Sequence, residues 1–136
     1  PALIRKAHEA KIDRLPEITI WGTGKPRREF LHVDDCADAC VHLMKTYSDD
    51  MHVNVGSGKD ITILELAELV SRVVGFKGRV AHDLTKPDGT PRKLMSADKL
   101  RGLGWTPRIG LQEGVASAYE AFLKGEYLER TQGDAA

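Results

Sequence analysis

Two basic segments, each on a proline-restricted turn, are the parts of this sequence best suited to bind an anion. One is Lys25-Pro26-Arg27-Arg28, which follows a predicted strand; the other, residues 86–93, reads Lys-Pro-Asp-Gly-Thr-Pro-Arg-Lys. Basic side chains on a restricted backbone lose less entropy on binding, and arginine adds a bidentate fork for phosphate oxygens. Together the segments could clamp a diphosphate, but taken alone the alternative, that both are solvated turns, is favoured.

Two further segments resemble parts of nucleotide sites. Trp21 ends a predicted strand beside Gly22. An indole ring there either stacks on a flat ring such as a nucleobase or fills the core, and taken alone the core is favoured. Gly56-Ser57-Gly58-Lys59 suggests a phosphate cradle. It lacks the third glycine of a dinucleotide fingerprint and the spacing of a P-loop, so we do not assign it as a nucleotide site.

The sequence contains no constellation typical of a catalytic centre. It has no glycine-rich fingerprint, no Tyr followed four residues later by Lys, and no nucleophile-elbow serine. His32 and Asp35 could form a general base pair at the start of a helix, although a local hydrogen bond explains His32 more simply. No second ligand pair with zinc spacing accompanies them. Cys36 and Cys40 lie one helical turn apart, and we interpret them as small buried thiols.

The composition restricts the function classes. The chain has 136 residues, of which 20 are basic and 20 acidic, and 41% are apolar, as in one compact globular domain. A net charge of zero removes the overall attraction that binders of nucleic acid and anionic membranes use. No apolar run approaches the roughly 20 residues that cross a bilayer. We therefore expect a cytoplasmic protein with no nucleic-acid, membrane or metal partner.

Helices and strands alternate along the chain, which predicts an α/β fold. Three strands are predicted, over Glu17–Trp21, residues 51–55 and Arg79–Asp83, and residues 28–33 continue extended. The predicted helices are residues 2–11, a helix from Asp34 or Asp35 to near Tyr47, residues 63–74, a short helix over 96–101, and residues 111–124. Residues 86–93 form an exposed loop, and residues 133–136 are expected to fray.

Two predicted helices carry informative detail. Thr62-Ile63-Leu64-Glu65 has the pattern of a capping box, and Gly75 ends the apolar stripe that follows it. That stripe consists of Leu66, Leu69, Val70, Val73 and Val74. In the helix that starts near Asp34, the apolar positions at helical spacing are Ala37, Cys40, Val41 and Met44; in the last helix they are Leu111, Val115, Ala118 and Phe122.

Taken together, five segments closely resemble the GDP-L-fucose synthase family. They are residues 1–6 (Pro-Ala-Leu-Ile-Arg-Lys), 20–24 (Ile-Trp-Gly-Thr-Gly), 28–35 (Arg-Glu-Phe-Leu-His-Val-Asp-Asp), 53–58 (Val-Asn-Val-Gly-Ser-Gly) and the basic loop 86–93. The stretch 28–35 is shared by many extended short-chain dehydrogenase/reductases that act on nucleotide sugars. Loop 86–93 is the segment that indicates the fucose family.

The resemblance extends through about Phe122 and matches the C-terminal part of a longer family protein. It implies the substrate-binding part of an extended short-chain dehydrogenase/reductase, with a small sheet, flanking helices and no N-terminal Rossmann half. Residues 1–60 would border or complete the Rossmann-type core, residues 61–126 would form a substrate-binding lobe, and residues 127–136 a tail. The strands would then leave unpaired edges, so we expect the isolated chain to aggregate or to form swapped oligomers.

The resemblance also implies a function and a set of site residues. The family is NADPH-dependent: it epimerises GDP-4-keto-6-deoxy-D-mannose at C3 and C5, reduces C4 to give GDP-L-fucose, and is expected to be homodimeric. This chain would carry no catalytic or NADP(H)-binding residue and would be inactive alone. The substrate contacts that the resemblance implies are Lys6, Trp21, Arg28, Arg79, Asp88 and Lys93. The alternatives are another nucleotide-sugar epimerase or dehydratase, or a non-catalytic nucleotide-sugar binding module.

Overall fold

The computed structural model describes residues 2–125 and confirms the α/β class. Its helices are α1 (Ala2–Ile12), α2 (Val33–Thr46), α3 (Ile63–Val74), α4 (Asp98–Gly102) and α5 (Leu111–Leu123). Its strands are β1 (Glu17–Trp21), β2 (Arg27–Glu29), β3 (Asp60–Thr62), β4 (Arg79–Asp83) and β5 (Arg92–Lys93). The tail predicted over residues 127–136, including the fraying of residues 133–136, lies outside the described residues. None of the helices within 2–125 has the length and apolar character needed to span a bilayer.

The strands form two small sheets that the flanking helices hold. β1 pairs in parallel with β4, so that Glu17 lies opposite Arg79 and Trp21 opposite Asp83. In the second sheet the order is β3-β2-β5, with β3 antiparallel and β5 parallel to the central strand. β5 is part of the basic loop 86–93, whose residues are exposed as predicted. The second sheet therefore joins both basic segments of the sequence.

The main core lies where α1 and α3 pack on β1. Its buried residues are Ile4, Ala7, Ala10, Ile18, Val70, Val74 and Phe76, and one face of α5 packs against them through Val115, Ala118, Tyr119 and Phe122. A second cluster consists of Ala39, Leu100 and Trp105, with Leu31, Leu43, Val53 and Val55 around it. The described residues thus bury two separate apolar clusters.

The predicted ends of α3 are confirmed. The hydroxyl of Thr62 accepts a hydrogen bond from the amide of Glu65, and the Glu65 carboxylate accepts one from the amide of Thr62, at 3.1 and 2.8 Å. Gly75 ends the helix in the left-handed conformation at φ 78°. Local sequence alone specifies both ends, because a capping box and a C-terminal glycine each act within a few residues.

The prediction for the face of α2 was wrong. Val41 and Met44 are 47% and 84% exposed, and both cysteines are exposed, so the thiols are not buried. The inward face instead carries carboxylates: Asp35 is buried and accepts the amides of Arg108 and Ile109. Burial of a charged group requires such partners, and here the partners come from a segment more than 70 residues away along the chain.

The strand predicted over residues 51–55 is also absent, because no neighbouring strand pairs with it in residues 2–125. This segment is held by other contacts: the Tyr47 hydroxyl donates to the Met51 carbonyl, and the Asn54 amide donates to the Ser96 carbonyl. Two boundaries also shift. α2 begins at Val33 rather than at Asp34 or Asp35, and the short helix begins at Asp98 rather than Ser96, whose hydroxyl bonds the Asp98 carboxylate.

Candidate functional site

Asp60 fastens the two basic segments to each other. Its carboxylate accepts the Nε–H of Arg27 at 2.8 Å and also pairs with Arg92, and its side chain is only 6% exposed. The guanidinium of Arg27 also donates to the Asp60 carbonyl. These bonds, from Arg27 first and then from Arg92, lower the pKa of Asp60. Strands β2 and β5 are therefore locked in register by one buried, ionised carboxylate.

This register places Arg28 beside Lys93. The two residues are Cα partners in the parallel β2–β5 pair, and partners in neighbouring parallel strands present their side chains on the same face. Neither forms an ion pair with any side chain in residues 2–125. Arg28 donates only to carbonyl oxygens, those of Thr90 and Arg27, each at 2.7 Å. The structure therefore brings together two predicted contacts as adjacent cations that have no counter-ion among residues 2–125.

A cavity of about 490 Å³ opens between these two cations. Its lining is Arg28, Glu29, Leu31, Val55, Gly56, Lys93, Leu94 and Met95. The Glu29 carboxylate in this lining is held by protein donors: it accepts the Gly58 amide at 2.6 Å, the Ser57 hydroxyl and the Met95 amide. The volume lies in the range of roughly 300–1,000 Å³ typical of small-molecule pockets. Cavity size and charge both suit a diphosphate-bearing ligand.

Glu29 also explains the glycine-rich segment 56–58. The Gly58 amide is already used by Glu29, and a side chain at Gly56 would lie 2.5 Å from the same carboxylate. The segment holds a protein carboxylate rather than a phosphate, so the residues present do not fit a dinucleotide.

Asp88 joins the basic loop 86–93 to the turn after β1. Its carboxylate accepts the amide of Thr23 at 2.8 Å and the Thr23 hydroxyl at 2.7 Å. These two bonds, led by the hydroxyl, lower the pKa of Asp88. Gly22 allows the contact: its φ is +69°, and a Cβ there would lie 2.2 Å from the Asp88 carboxylate. Asp88 therefore holds a protein turn, and we call this contact the Asp88–Thr23 clasp.

Trp21 lies beside this clasp and faces solvent. Its side chain is 70% exposed, so the preference for a core position was wrong; Trp105, at 4% exposed, is the tryptophan that fills a core. The ammonium group of Lys86 lies 5.7 Å from the Trp21 ring. An exposed indole at a strand end beside basic loops is the arrangement that stacks on a base.

The structure does not bring Lys6 and Arg79 into this group. Arg79 pairs with Glu17 at the start of β1. The five-residue strand puts Trp21 about 13 Å from that end, at roughly 3.3 Å per residue. Lys6 donates to the carbonyl of Thr19 at 2.7 Å, in the middle of β1. Both side chains thus have local partners, whereas Trp21, Arg28, Asp88 and Lys93 gather around loop 86–93.

His32 and Asp35 have separate structural roles. The imidazole of His32 caps α2 by accepting the amide of Asp34, as the local interpretation predicts. Asp35 binds backbone amides of residues 108 and 109. Within residues 2–125 no three side chains of His, Cys, Asp or Glu gather as a metal-binding group.

Asp60, Thr23 and Glu29 are the residues of this site that sequence reasoning missed. Each acts on a partner 28 to 66 residues away. No spacing or motif within one segment signals such a contact. The one signal within the sequence was an acidic residue, Asp60, two positions before the predicted helix cap Thr62.

Comparison with known proteins identifies relatives of this chain. A sequence model of the NAD dependent epimerase/dehydratase family matches residues 1–56. GDP-L-fucose synthase 1 of Arabidopsis thaliana is 59% identical over 91% of this chain and 38% of its own length. GDP-L-fucose synthase of Escherichia coli K12 is 48% identical over 93% of the chain and 42% of its own length. A solved structure, GDP-mannoheptose C4 reductase from Campylobacter jejuni with NADP bound, superposes with a TM-score of 0.79 at 36% identity, over 90% of this chain and 44% of that one.

These matches agree with the resemblance found in the sequence. They cover nine-tenths or more of this chain but less than half of each relative. The chain is a relative of the GDP-L-fucose synthases, and it spans 38% of the length of the plant relative it matches.

Proposed function

We propose that this chain is the GDP-sugar-binding portion of a GDP-L-fucose synthase, and that it grips the nucleotide diphosphate. The observation that carries the proposal is the pair of adjacent cations, Arg28 and Lys93, neither of which has a carboxylate partner among residues 2–125. Arginine binds phosphate oxygens bidentately and lysine adds a point charge. Trp21 offers its exposed ring to the base. Asp60 and the Asp88–Thr23 clasp hold the two binding segments in place.

The reaction proposed for the whole protein follows from that of its named relatives. It is the NADPH-dependent epimerisation of GDP-4-keto-6-deoxy-D-mannose at C3 and C5 and the reduction of C4. This chain supplies grip and orientation, and the acid, base and hydride-transfer groups belong to the remainder of the protein. Binding energy from the remote GDP group holds the sugar in register with reacting groups, which is how non-reacting contacts contribute to rate.

We also propose where the rest of the protein packs. The exposed apolar face of α2, including Val33 at 72% and Met44 at 84% exposure, needs a cover. Residues 51–55 belong to no helix or strand and lack a strand partner in the described chain. Both lie within residues 1–60, which we propose to border a Rossmann-type core, while residues 61–126 form the substrate-binding lobe. We further propose a cytoplasmic, homodimeric enzyme, with NADP(H) bound by that core.

Lys6 and Arg79 remain proposed contacts of the sugar-nucleotide. Lys6 reaches the middle of β1, two residues before Trp21. Its single hydrogen bond to a carbonyl leaves the other ammonium protons for a ligand. Arg79 is 79% exposed and would have to share its guanidinium with Glu17. The structural support is therefore strongest for Arg28 and Lys93, and weakest for Arg79.

The proposal is tested by calorimetric titration of the 136-residue chain with GDP, GMP and UDP. We expect GDP to bind more tightly than GMP, because the clamp holds two phosphates, and more tightly than UDP. Arg28→Ala should weaken GDP binding about tenfold or more, since a hydrogen bond to a charged group contributes about 1.5–3 kcal/mol. Arg5→Ala, an exposed arginine of α1, is the matched control. Equal GDP affinity in the Arg28→Ala and Arg5→Ala variants would overturn the proposal, and a preference for UDP would favour another nucleotide-sugar enzyme.

A further inference from the structure

We propose that Lys86 determines base specificity, by donating from its ammonium group to the acceptor edge of a guanine stacked on Trp21. This inference rests on the proposed function, because it assumes that a nucleotide binds at this loop. It adds a residue that the sequence did not single out and a reason for the choice of base.

The first observation is the position of the ammonium group over the indole. Lys86 Nζ lies 5.7 Å from the ring centre of Trp21, within the distance of a cation–π contact. The ring is 70% exposed, so the lysine stem covers only part of it. Lys86 forms no ion pair with a carboxylate in the described residues. A base that stacks on this ring takes the place of the ammonium group, which is then free to turn to the edge of the base.

The second observation is that the backbone of Lys86 is fixed on both sides. On the N-terminal side, the Lys86 amide donates to the carbonyl of Asp83 and closes a turn. Asp83 is the strand partner of Trp21. On the C-terminal side, the Asp88–Thr23 clasp holds the loop on the turn beside Trp21. Only the four-carbon side chain of Lys86 needs to move. The ammonium group therefore stays within reach of a base on Trp21 after it leaves the ring face.

The chemistry of the base edges then selects guanine. Guanine presents two acceptors, O6 and N7, on one edge, and lysine or arginine is their usual partner. Adenine carries an amino donor at position 6, which an ammonium group cannot accept. Stacking on Trp21 alone is indifferent to the base, because every base has a π-face. Discrimination at this site must come from directional hydrogen bonds, and Lys86 is a donor that the structure places next to the ring.

The experiment compares GDP, inosine diphosphate and ADP as ligands of the 136-residue chain and of three variants. Inosine keeps O6 and N7 but lacks the 2-amino group of guanine, so it isolates the edge that Lys86 is proposed to read. The variants are Lys86→Met, Lys86→Arg and the control Lys77→Met, an exposed lysine after α3. Binding is followed by calorimetry and by quenching of tryptophan emission: a stacked base contacts the exposed Trp21, whereas Trp105, 4% exposed, emits as background.

We expect the unmodified chain to bind GDP and inosine diphosphate alike, and ADP at least tenfold more weakly. Lys86→Met should weaken the binding of GDP and inosine diphosphate, so that their affinities approach that of ADP. Lys86→Arg should restore the preference, and Lys77→Met should leave it unchanged. Suppose that Arg28→Ala weakens GDP binding but Lys86→Met leaves the ratio of GDP to ADP affinity unchanged. That result overturns this inference and leaves the proposed function intact. Absence of GDP binding by the unmodified chain overturns both.

Discussion

Replacement of Gly22 by alanine tests whether the Asp88–Thr23 clasp organises the nucleotide site. Gly22 adopts φ +69°, and an alanine Cβ would lie 2.2 Å from a carboxylate oxygen of Asp88 and 3.2 Å from its carboxyl carbon. Atoms cannot remain at that separation, so Asp88 has to leave Thr23. Both hydrogen bonds of the clasp are then lost. Loop 86–93 is then held near the turn after β1 only by the chain segments on either side of the loop.

The magnitude has two parts. The left-handed conformation costs a non-glycine residue roughly 1–2 kcal/mol, which lowers the free energy of unfolding by that amount. Release of the clasp adds a cost to binding, because the ligand must order the loop again. Ordering the backbone of one residue costs about 1–2 kcal/mol, and each 1.4 kcal/mol is tenfold in affinity. We therefore expect Gly22→Ala to weaken GDP binding by roughly fivefold to thirtyfold for each loop residue that loses its order.

Gly104→Ala is the matched control. Gly104 also has a positive φ, +87°, but no atom lies within 4 Å of its added Cβ. Gly104→Ala should lose only the backbone contribution in urea denaturation, Gly22→Ala should lose at least as much, and only Gly22→Ala should lose GDP affinity in calorimetry. If the two variants bind GDP equally well, the clasp does not organise the site and the reasoning is refuted.

Two further predictions concern stability. Because Arg27 and Arg92 lower the pKa of Asp60, its ionised form stabilises the fold fully above the ordinary Asp value of about 4, and this stabilisation is lost as the pH falls through the lowered native pKa. In Asp60→Asn the free energy of unfolding should therefore fall less steeply as the pH decreases below about 4. Denaturation at several pH values measures this slope, and equal slopes in the variant and the unmodified chain would contradict the prediction. Leu100→Ala removes a side chain that is 1% exposed and should cost about 2–5 kcal/mol, whereas Leu84→Ala, at a position 71% exposed, should cost less than about 0.5 kcal/mol in the same denaturation series.

The sequence predicted those parts of the fold that local chemistry decides. α3 combines a capping box, an apolar stripe and a C-terminal glycine, and all three signals act within 14 residues of chain. β1 and β4 were likewise predicted with their observed bounds; β1 is a β-branched and aromatic run, and turn residues bound both strands.

α2 shows why the orientation of a correctly predicted helix was wrong. Its apolar positions at helical spacing predict a buried face, but in this structure the opposite face is buried. The inward carboxylates Asp35 and Asp38 bind the amides of residues 108 and 109 and the indole N–H of Trp105. Periodicity records which residues share a face, and it does not record which face finds partners. The partners lie about 70 residues away, beyond any local signal.

The candidate site was predicted as two basic segments, and the structure supplies the reason that they act together. The cations of the site were visible as a pattern of Lys, Arg and Pro. The carboxylates that join the segments were not, since Asp60 reaches Arg27 and Arg92 over 33 and 32 residues and Asp88 reaches Thr23 over 65. Contacts of this kind depend on sheet register, which follows from the whole fold.

A chain of zero net charge can still bind an anion where its basic residues lack carboxylate partners. The net charge is zero, which argues against binding of long polyanions. Around the site, however, Asp60, Asp88 and Glu29 all accept hydrogen bonds from protein donors, whereas Arg28 and Lys93 have no carboxylate partner in the described residues. The two basic segments carry six basic residues against these three carboxylates, so the local charge is positive although the net charge of the chain is zero. A small diphosphate held at this one place gains from that separation, while a polymer that contacts the whole surface does not.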